Sequence, residues 1–283
     1  MSKLRLIAQR IRHLPGLEKA EGLWRILRKP YHAMLCMGGR GVQVMVGGNA
    51  AVRMPPEFAG GSWEQYEPEA IATFAQWARS HPAGIVLDVG SSLGIFSAVA
   101  LFAAPALDVV AFDSDLASLA AARRICQHAQ GRRLRLVYGM IADTPTQSAS
   151  LAAAVAATEA ALLDTGVSGD VGTTRYICLV DTDAASIPVH RLDDLFASEH
   201  YDRRPMLIKC DVEGAELLVL QGAQSLLRRV RPALLLSVHP PVLPAYGHSR
   251  EQVQAFLENI GYRVRCIAVD HEEHWWCEHE QSA

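Results

Sequence analysis

The sequence predicts an α/β fold, a doubly wound and mostly parallel sheet carrying an N-terminal extension of helix and β-hairpin. Three observations predict it. From residue 84 onward, short apolar runs alternate with longer segments of helical period, and repeated βα units of this kind imply parallel strands with helices on both faces. The first of these runs, GIVLDVG (84–90), ends in a glycine turn that opens directly into IFSAVALFAA (95–104). Finally, the 283 residues are 50% hydrophobic and 20% charged, enough to bury a large core and too apolar for a disordered chain. The mean hydropathy is +0.09, and no run approaches the ~18 uncharged apolar residues of a spanning helix.

Taken in order, residues 3–28 have the spacing of an amphipathic helix (Leu4, Ile7, Ile11, Leu14), interrupted at Pro15-Gly16. GRGVQVMVGGNAAVRM (39–54) alternates Val42, Val44 and Val46 before a Gly47-Gly48-Asn49 turn and reads as a hairpin. A helix is expected from Glu69 to Arg79, before His81-Pro82. Strands follow at 84–90, 108–113 and 134–142, with helices at 95–104 and 116–129 between them. LAAAVAATEAALLD (151–164) is Ala-rich and helical in pattern, RYICLVD (175–181) reads as a strand, and IPVHRLDDLF (187–196) leads into a short helix. Strands at 206–212 and 233–240 flank a helix at 215–229. Ser249 caps a helix that closes at Gly261, and YRVRCIAV (262–269) is a last strand. The domain boundaries expected are an extension over 1–63 and one domain over 64–283, with an insertion at 144–191 beside the sheet's carboxyl edge.

A net charge of −3 names no nucleic-acid partner, but its distribution is uneven. Residues 1–40 hold nine Lys and Arg against Glu18 and Glu21, a net of +7 that leaves −10 on the other 243 residues. This arm reads as a solvated helix face, with peripheral membrane contact through anionic lipid as the alternative. The start MSKLRLIAQRIRH has no continuous apolar region of the signal-peptide kind, and six scattered cysteines without a CxxC favour a reducing, cytoplasmic setting. Oligomeric state is open.

The chemistry concentrates in two places. Asp88-Val89-Gly90-Ser91-Ser92-Leu93-Gly94 is D-x-G-x-x-x-G, not the G-x-G-x-x-G of dinucleotide sites. A carboxylate at the strand tip suits a cationic or hydroxyl-bearing ligand and disfavours phosphate. Asp113 closes the second strand where it can accept hydrogen bonds from two ribose hydroxyls. Together they fit S-adenosylmethionine, a sulfonium with an ammonium. A nicotinamide reductase would need Tyr-x-x-x-Lys, which no Tyr here provides, and no phosphate-binding G-x-x-x-x-G-K-[ST] occurs. The second place is IKCDVEGAE (208–216), where Lys209, Asp211, Glu213 and Glu216 crowd one strand end. Such a group is costly unless it faces a cleft or is paired. HEEHWWCEHE (271–280) lacks the H-E-x-x-H spacing and reads as a surface tail whose Trp275 and Trp276 pack on the domain or a partner.

YEPE (66–69), VLDVGSSLGIFS (86–97), Asp113, IPVHRLDDL (187–195), IKCDVEGAELLVLQGAQSLL (208–227) and RPALLLSVH (231–239) together resemble the FkbM family of S-adenosylmethionine-dependent methyltransferases, over roughly residues 64–270. The resemblance implies a class I methyltransferase (Rossmann-like) fold and O-methyl transfer to a hydroxyl of a sugar, glycan or secondary metabolite. It implies cofactor contacts from Asp88, Gly90, Ser91, Gly94 and Asp113, with Asp143 at the adenine edge, and places Asp211, Glu213 and Glu216 at the methyl-transfer cleft. Removing a proton from an alcohol needs a base or a metal. His239, which ordinarily titrates near neutral pH, is the first candidate base and Asp211 the second, with Lys209 lowering the oxygen's pKa; Glu213 and Glu216 then contact substrate. No resident metal is expected, although Asp211 and Glu213 offer oxygen ligands of the kind magnesium takes. The competing reading is a non-catalytic module of this fold that docks through its basic arm.

Overall fold

The computed structural model describes residues 41–129, 133–146, 149–169 and 186–280. The basic arm, the helix expected at 3–28, the strand expected at 175–181, Cys36 and Cys178 lie outside them. No described helix is long and apolar enough to cross a membrane. The four described cysteines Cys126, Cys210, Cys266 and Cys277 are free thiols.

The chain opens with the expected hairpin, β1 (Val42–Val46) and β2 (Ala50–Met54), in register from Val42–Met54 to Val46–Ala50. Helix α1 (Pro68–Ser80) starts on a proline, whose missing N–H costs nothing there. Then come β3 (Ile85–Val89), α2 (Ile95–Ala103), β4 (Asp108–Asp113), α3 (Leu116–Cys126) and β5 (Leu134–Tyr138). β6 (Met140–Ile141), α4 (Leu151–Asp164), β7 (Val189–His190) and α5 (Leu192–Leu195) follow. The second half holds β8 (Met206–Cys210), α6 (Glu216–Gln221), α7 (Gln224–Val230), β9 (Ala233–Val238), α8 (Arg250–Asn259), β10 (Tyr262–Val269) and β11 (Glu273–His279). Ser249 caps α8 as expected, and the structure adds Gln252 as its partner in a reciprocal capping box.

Seven strands form one sheet in the order β10-β11-β9-β8-β3-β4-β5. The five from β9 to β5 are parallel, whereas β11 runs antiparallel to both β9 and β10. This is the doubly wound, mostly parallel arrangement expected from the sequence. The order reverses between β3 and β8, and open α/β sheets bind ligands beyond the carboxyl ends at such a reversal. Both central strands are buried along their whole length, as strands covered on two faces must be. One face carries the hairpin, α1, α2 and α3 in a single apolar cluster; the other carries α6, α7 and α8.

Three expectations require correction, two of them through glycine. The strand expected at 134–142 breaks at Gly139, whose φ of 142° and 2.6 Å spacing from an added Cβ to the Pro188 oxygen admit no side chain. Beyond the break, β6 leaves the sheet to pair with β7. The helix expected at 215–229 divides into α6 and α7 at Gly222, where a Cβ would meet the Ala142 oxygen at 2.4 Å. The tail at 271–280 is not a surface segment. It forms β11, inserted between β9 and β10, with Trp275 in one face's core and Trp276 in the other's. Successive strand residues point to opposite faces, so the Trp-Trp pair bridges both layers.

Candidate active site

A cavity of about 360 Å³ opens at the carboxyl ends of β3, β4 and β8. Its floor is the glycine loop. Gly90 takes a φ of 73°, and a methyl group there would lie 1.7 Å from the Asp211 carbonyl oxygen. The loops after β3 and β8 therefore touch backbone to backbone, with the Asp211 N–H donating to the Val89 oxygen at 2.9 Å.

Of the expected cofactor residues, the wall holds Gly90 and Asp113. Asp113 Oδ2 accepts the Ser92 N–H at 2.7 Å and its Oδ1 the Asp115 N–H at 2.9 Å. Burial pushes its carboxyl up to about 7, outweighing these two bonds, which favour the charged form. Between the ordinary carboxyl range and that value, the folded chain keeps a proton that the unfolded chain has released. This group's contribution to stability therefore declines as pH rises through the window. In Asp113→Asn, urea midpoints measured from about pH 5 to about pH 8 should fall less steeply than in the wild type, and equal slopes would contradict the raised value.

Asp88, Ser91, Gly94 and Asp143 are not part of the wall. Asp88 lies beneath the loop, fully buried, its Oδ2 accepting from the Ser97 N–H at 3.0 Å and Ser97 hydroxyl at 2.6 Å. It fastens the start of α2 to β3, and contact with a methionine moiety is not what its position offers. Gly94 is needed for packing: its φ is 71° and a Cβ would sit 2.5 Å from the Ala122 methyl. The described part of the 144–191 insertion contributes nothing to the wall either. α4 covers the edge of β5 instead, the Thr158 hydroxyl accepting the Tyr138 N–H at 2.7 Å.

The second constellation does come together. Asp211 and Glu213 line the cavity, while Lys209 and Glu216 stand buried behind them. Burial would lower the Lys209 ammonium's pKa, but Asp211, Asp88 and Glu67 raise it above its ordinary value, and it donates to Asp211 Oδ2 at 2.9 Å. It also lies 4.8 Å over the Phe96 ring. His239, at the end of β9, joins this group: its Nδ1 is 2.8 Å from Glu216 Oε1 and its Nε2 2.6 Å from Glu272 Oε2. Burial would lower the imidazole's pKa; the contacts of Glu216 and Glu272 and the charge of Asp211 override it and push it up to about 11. That departs from the near-neutral titration expected of His239, since two carboxylates hold the ring as imidazolium.

Sequence reading missed Glu67 and Glu272, both buried and both on the wall. The run of acids and histidines at 271–274 was the available signal, hidden because no strand was assigned there. The described wall bears six carboxylates (Glu67, Asp113, Asp211, Glu213, Asp270, Glu272) and no lysine or arginine. Three of the four described non-glycine residues with positive φ, namely Glu67, Ser92 and Glu213, stand on it. Backbone strain of this kind, about 1–3 kcal/mol each, collects at functional sites.

Comparison with known proteins follows the same lines. No curated protein matches the chain significantly. Solved structures that resemble it include a methyltransferase FkbM from Methylobacillus flagellatus, at TM-score 0.45 and 15% identity, covering 74% of this chain and 53% of that one. A precorrin-6y C5,15-methyltransferase from Geobacter metallireducens gives TM-score 0.45 and 15% identity over 81% and 97%. An rRNA methylase from Streptococcus thermophilus gives 0.36 and 14% over 75% and 97%. The chain thus spans about half the length of the Methylobacillus protein. Residues 93–264, more than half of the chain, match the family described as Methyltransferase FkbM domain, and the chain belongs to that family.

Proposed function

We propose that the protein is an S-adenosylmethionine-dependent O-methyltransferase acting on a hydroxyl of a sugar, glycan or secondary metabolite. The observation that carries this reading is the composition of the wall, six carboxyl groups without a lysine or arginine among the described residues. Such a surface repels a diphosphate and attracts a cation. Bound S-adenosylmethionine supplies a methyl group activated by its positive sulfur. The residues present fit it. Asp113 has committed one lone pair on each oxygen to backbone N–H groups, which leaves acceptor positions for two vicinal hydroxyls. The volume lies within the usual range for small-ligand cavities, roughly 300–1,000 Å³.

Within this reading Gly90 and Ser92 bring bare backbone to the ligand, and Asp113 fixes its ribose. Asp211 and Glu213 face the space where an acceptor hydroxyl would lie, and the pair receives its proton. Lys209 holds Asp211 Oδ2 so that Oδ1 turns toward His239. Glu216 fixes the His239 ring through Nδ1. Positioning of the two reactants can itself remove ~7–11 kcal/mol of the barrier. Tyr66 and Tyr246 also line the cavity.

The test is calorimetric titration with S-adenosylmethionine, then incubation with sugar nucleotides and lipid-linked sugars, with mass spectrometry reading the added methyl. Above about pH 7, where the Asp113 carboxyl is ionised, Asp113→Ala should weaken cofactor binding by about 3 kcal/mol, two hydrogen bonds to a charged acceptor at ~1.5 kcal/mol each. A wild-type chain with no affinity for the cofactor would overturn the proposal.

A further inference from the structure

The negative wall is most concentrated where β8 and β9 end and β11 begins. There Asp211 Oδ1 and Glu272 Oε2 lie 3.7 Å and 2.6 Å from His239 Nε2, and the three atoms share one small space. Asp211 and Glu272 both border the cavity. We infer that these three side chains bind one divalent cation of the manganese or magnesium class, facing the acceptor end of the cavity.

Proximity of acids alone would not carry this. His239 is only 5% exposed, yet its Nε2 makes no hydrogen bond: Glu272 Oε2 is near but badly aligned. Glu272 is 3% exposed, and its Oε1 also lacks a hydrogen-bond partner. A buried polar atom left so costs about 1–3 kcal/mol, and structures seldom keep two together without use. A cation among the three atoms would displace the Nε2 proton of the imidazolium to water and bind Nε2 directly, its charge replacing the one the carboxylates now hold on the ring.

The surroundings are those of a ligating imidazole. Glu216 Oε1 takes the Nδ1 side at 2.8 Å and is itself held by the Gly214 N–H at 2.9 Å. A carboxylate on the remote nitrogen fixes the tautomer and the ring plane of a metal-bound histidine. Lys209 engages only Oδ2 of Asp211, leaving Oδ1 for the cation. With bonds of about 2.1–2.3 Å, neighbouring ligand atoms stand ~3 Å apart and opposite ones ~4.4 Å, so the spacings need only small side-chain adjustments. One nitrogen with two carboxylates suits manganese and magnesium better than thiolate-seeking metals. Glu272 lies beyond the stretch 93–264 that matches the family, so part of this site comes from the turn that leads into β11.

The cation's use rests on the methyltransferase reading, since it would lower the pKa of an acceptor hydroxyl and leave Glu213 to take the proton. Its binding does not depend on that reading. The full chain, stripped with chelator, is titrated with manganese chloride by calorimetry and examined by pulsed electron paramagnetic resonance. One manganese per chain is expected, with ¹⁴N modulation from a bound imidazole. His239→Gln should abolish the ¹⁴N signal. Asp211→Asn, at a half-buried position that need not disturb the core, should weaken binding about 10- to 100-fold at an unchanged melting temperature. No saturable binding by the wild type, or binding without the ¹⁴N signal, overturns the inference. S-adenosylmethionine is titrated into the same stripped sample: its binding without manganese binding sinks the metal site alone, and the converse sinks the methyltransferase reading alone.

Discussion

Gly90→Ala should destabilise the fold by about 3–5 kcal/mol and abolish measurable cofactor binding, as read by urea denaturation and calorimetry. The figure joins two costs. A left-handed backbone at a residue with a Cβ costs about 1–2 kcal/mol, and overpacking adds about 1–3 kcal/mol. The second cost sits at its upper end here. The added methyl would stand 1.7 Å from the Asp211 carbonyl oxygen, which belongs to backbone and cannot rotate away. Relief requires the loops after β3 and β8 to separate, breaking the 2.9 Å bond from the Asp211 N–H to Val89. That separation would also move Asp211 from its place beside Lys209 on the cavity wall. A variant with wild-type stability would show that the two loops are not in contact.

Trp275→Ala should cost about 3–5 kcal/mol, the range for truncating a buried aromatic. Trp275 is fully buried in β11, its indole N–H donates to Glu273 Oε2 at 2.9 Å, and the Arg250 guanidinium lies 4.9 Å over its ring. The loss should also reach the active site, because Glu272 immediately precedes the strand. Urea unfolding gives the stability; cofactor affinity of the folded fraction should fall as well. Had residues 271–280 been a surface tail, the same change would cost well under 1 kcal/mol, so the measurement separates the two descriptions decisively.

Sequence alone carried the sheet because its signals are local. β4 lies where DVVAFD was read, and Ser249 caps α8 through a box formed within four residues. Asp113 and the 209–216 block were equally legible, since a charged residue directly after a buried apolar run must meet a cavity or a partner. The role of Asp88 was not, because burial depends on where α2 begins and on Ser97 turning back to meet it. Gly139 and Gly222 fell inside a continuous strand and a continuous helix as read from the sequence; their necessity arises from Pro188 and Ala142, distant in sequence. Glu272 was illegible for a related reason. Its position follows from β11 entering the sheet between two earlier strands, a non-local event that HEEHWWCEHE does not encode by periodicity.

The insertion of β11 between β9 and β10 has a consequence for synthesis. Tyr262–Val269 leaves the ribosome before Glu273–His279 yet has no place in the sheet until the later strand arrives. Until then a nascent chain presents the open rim of β9, a template for pairing with another polypeptide. The acidic chamber, which takes Glu272 from the turn entering that strand, therefore cannot be completed before β11 is in place.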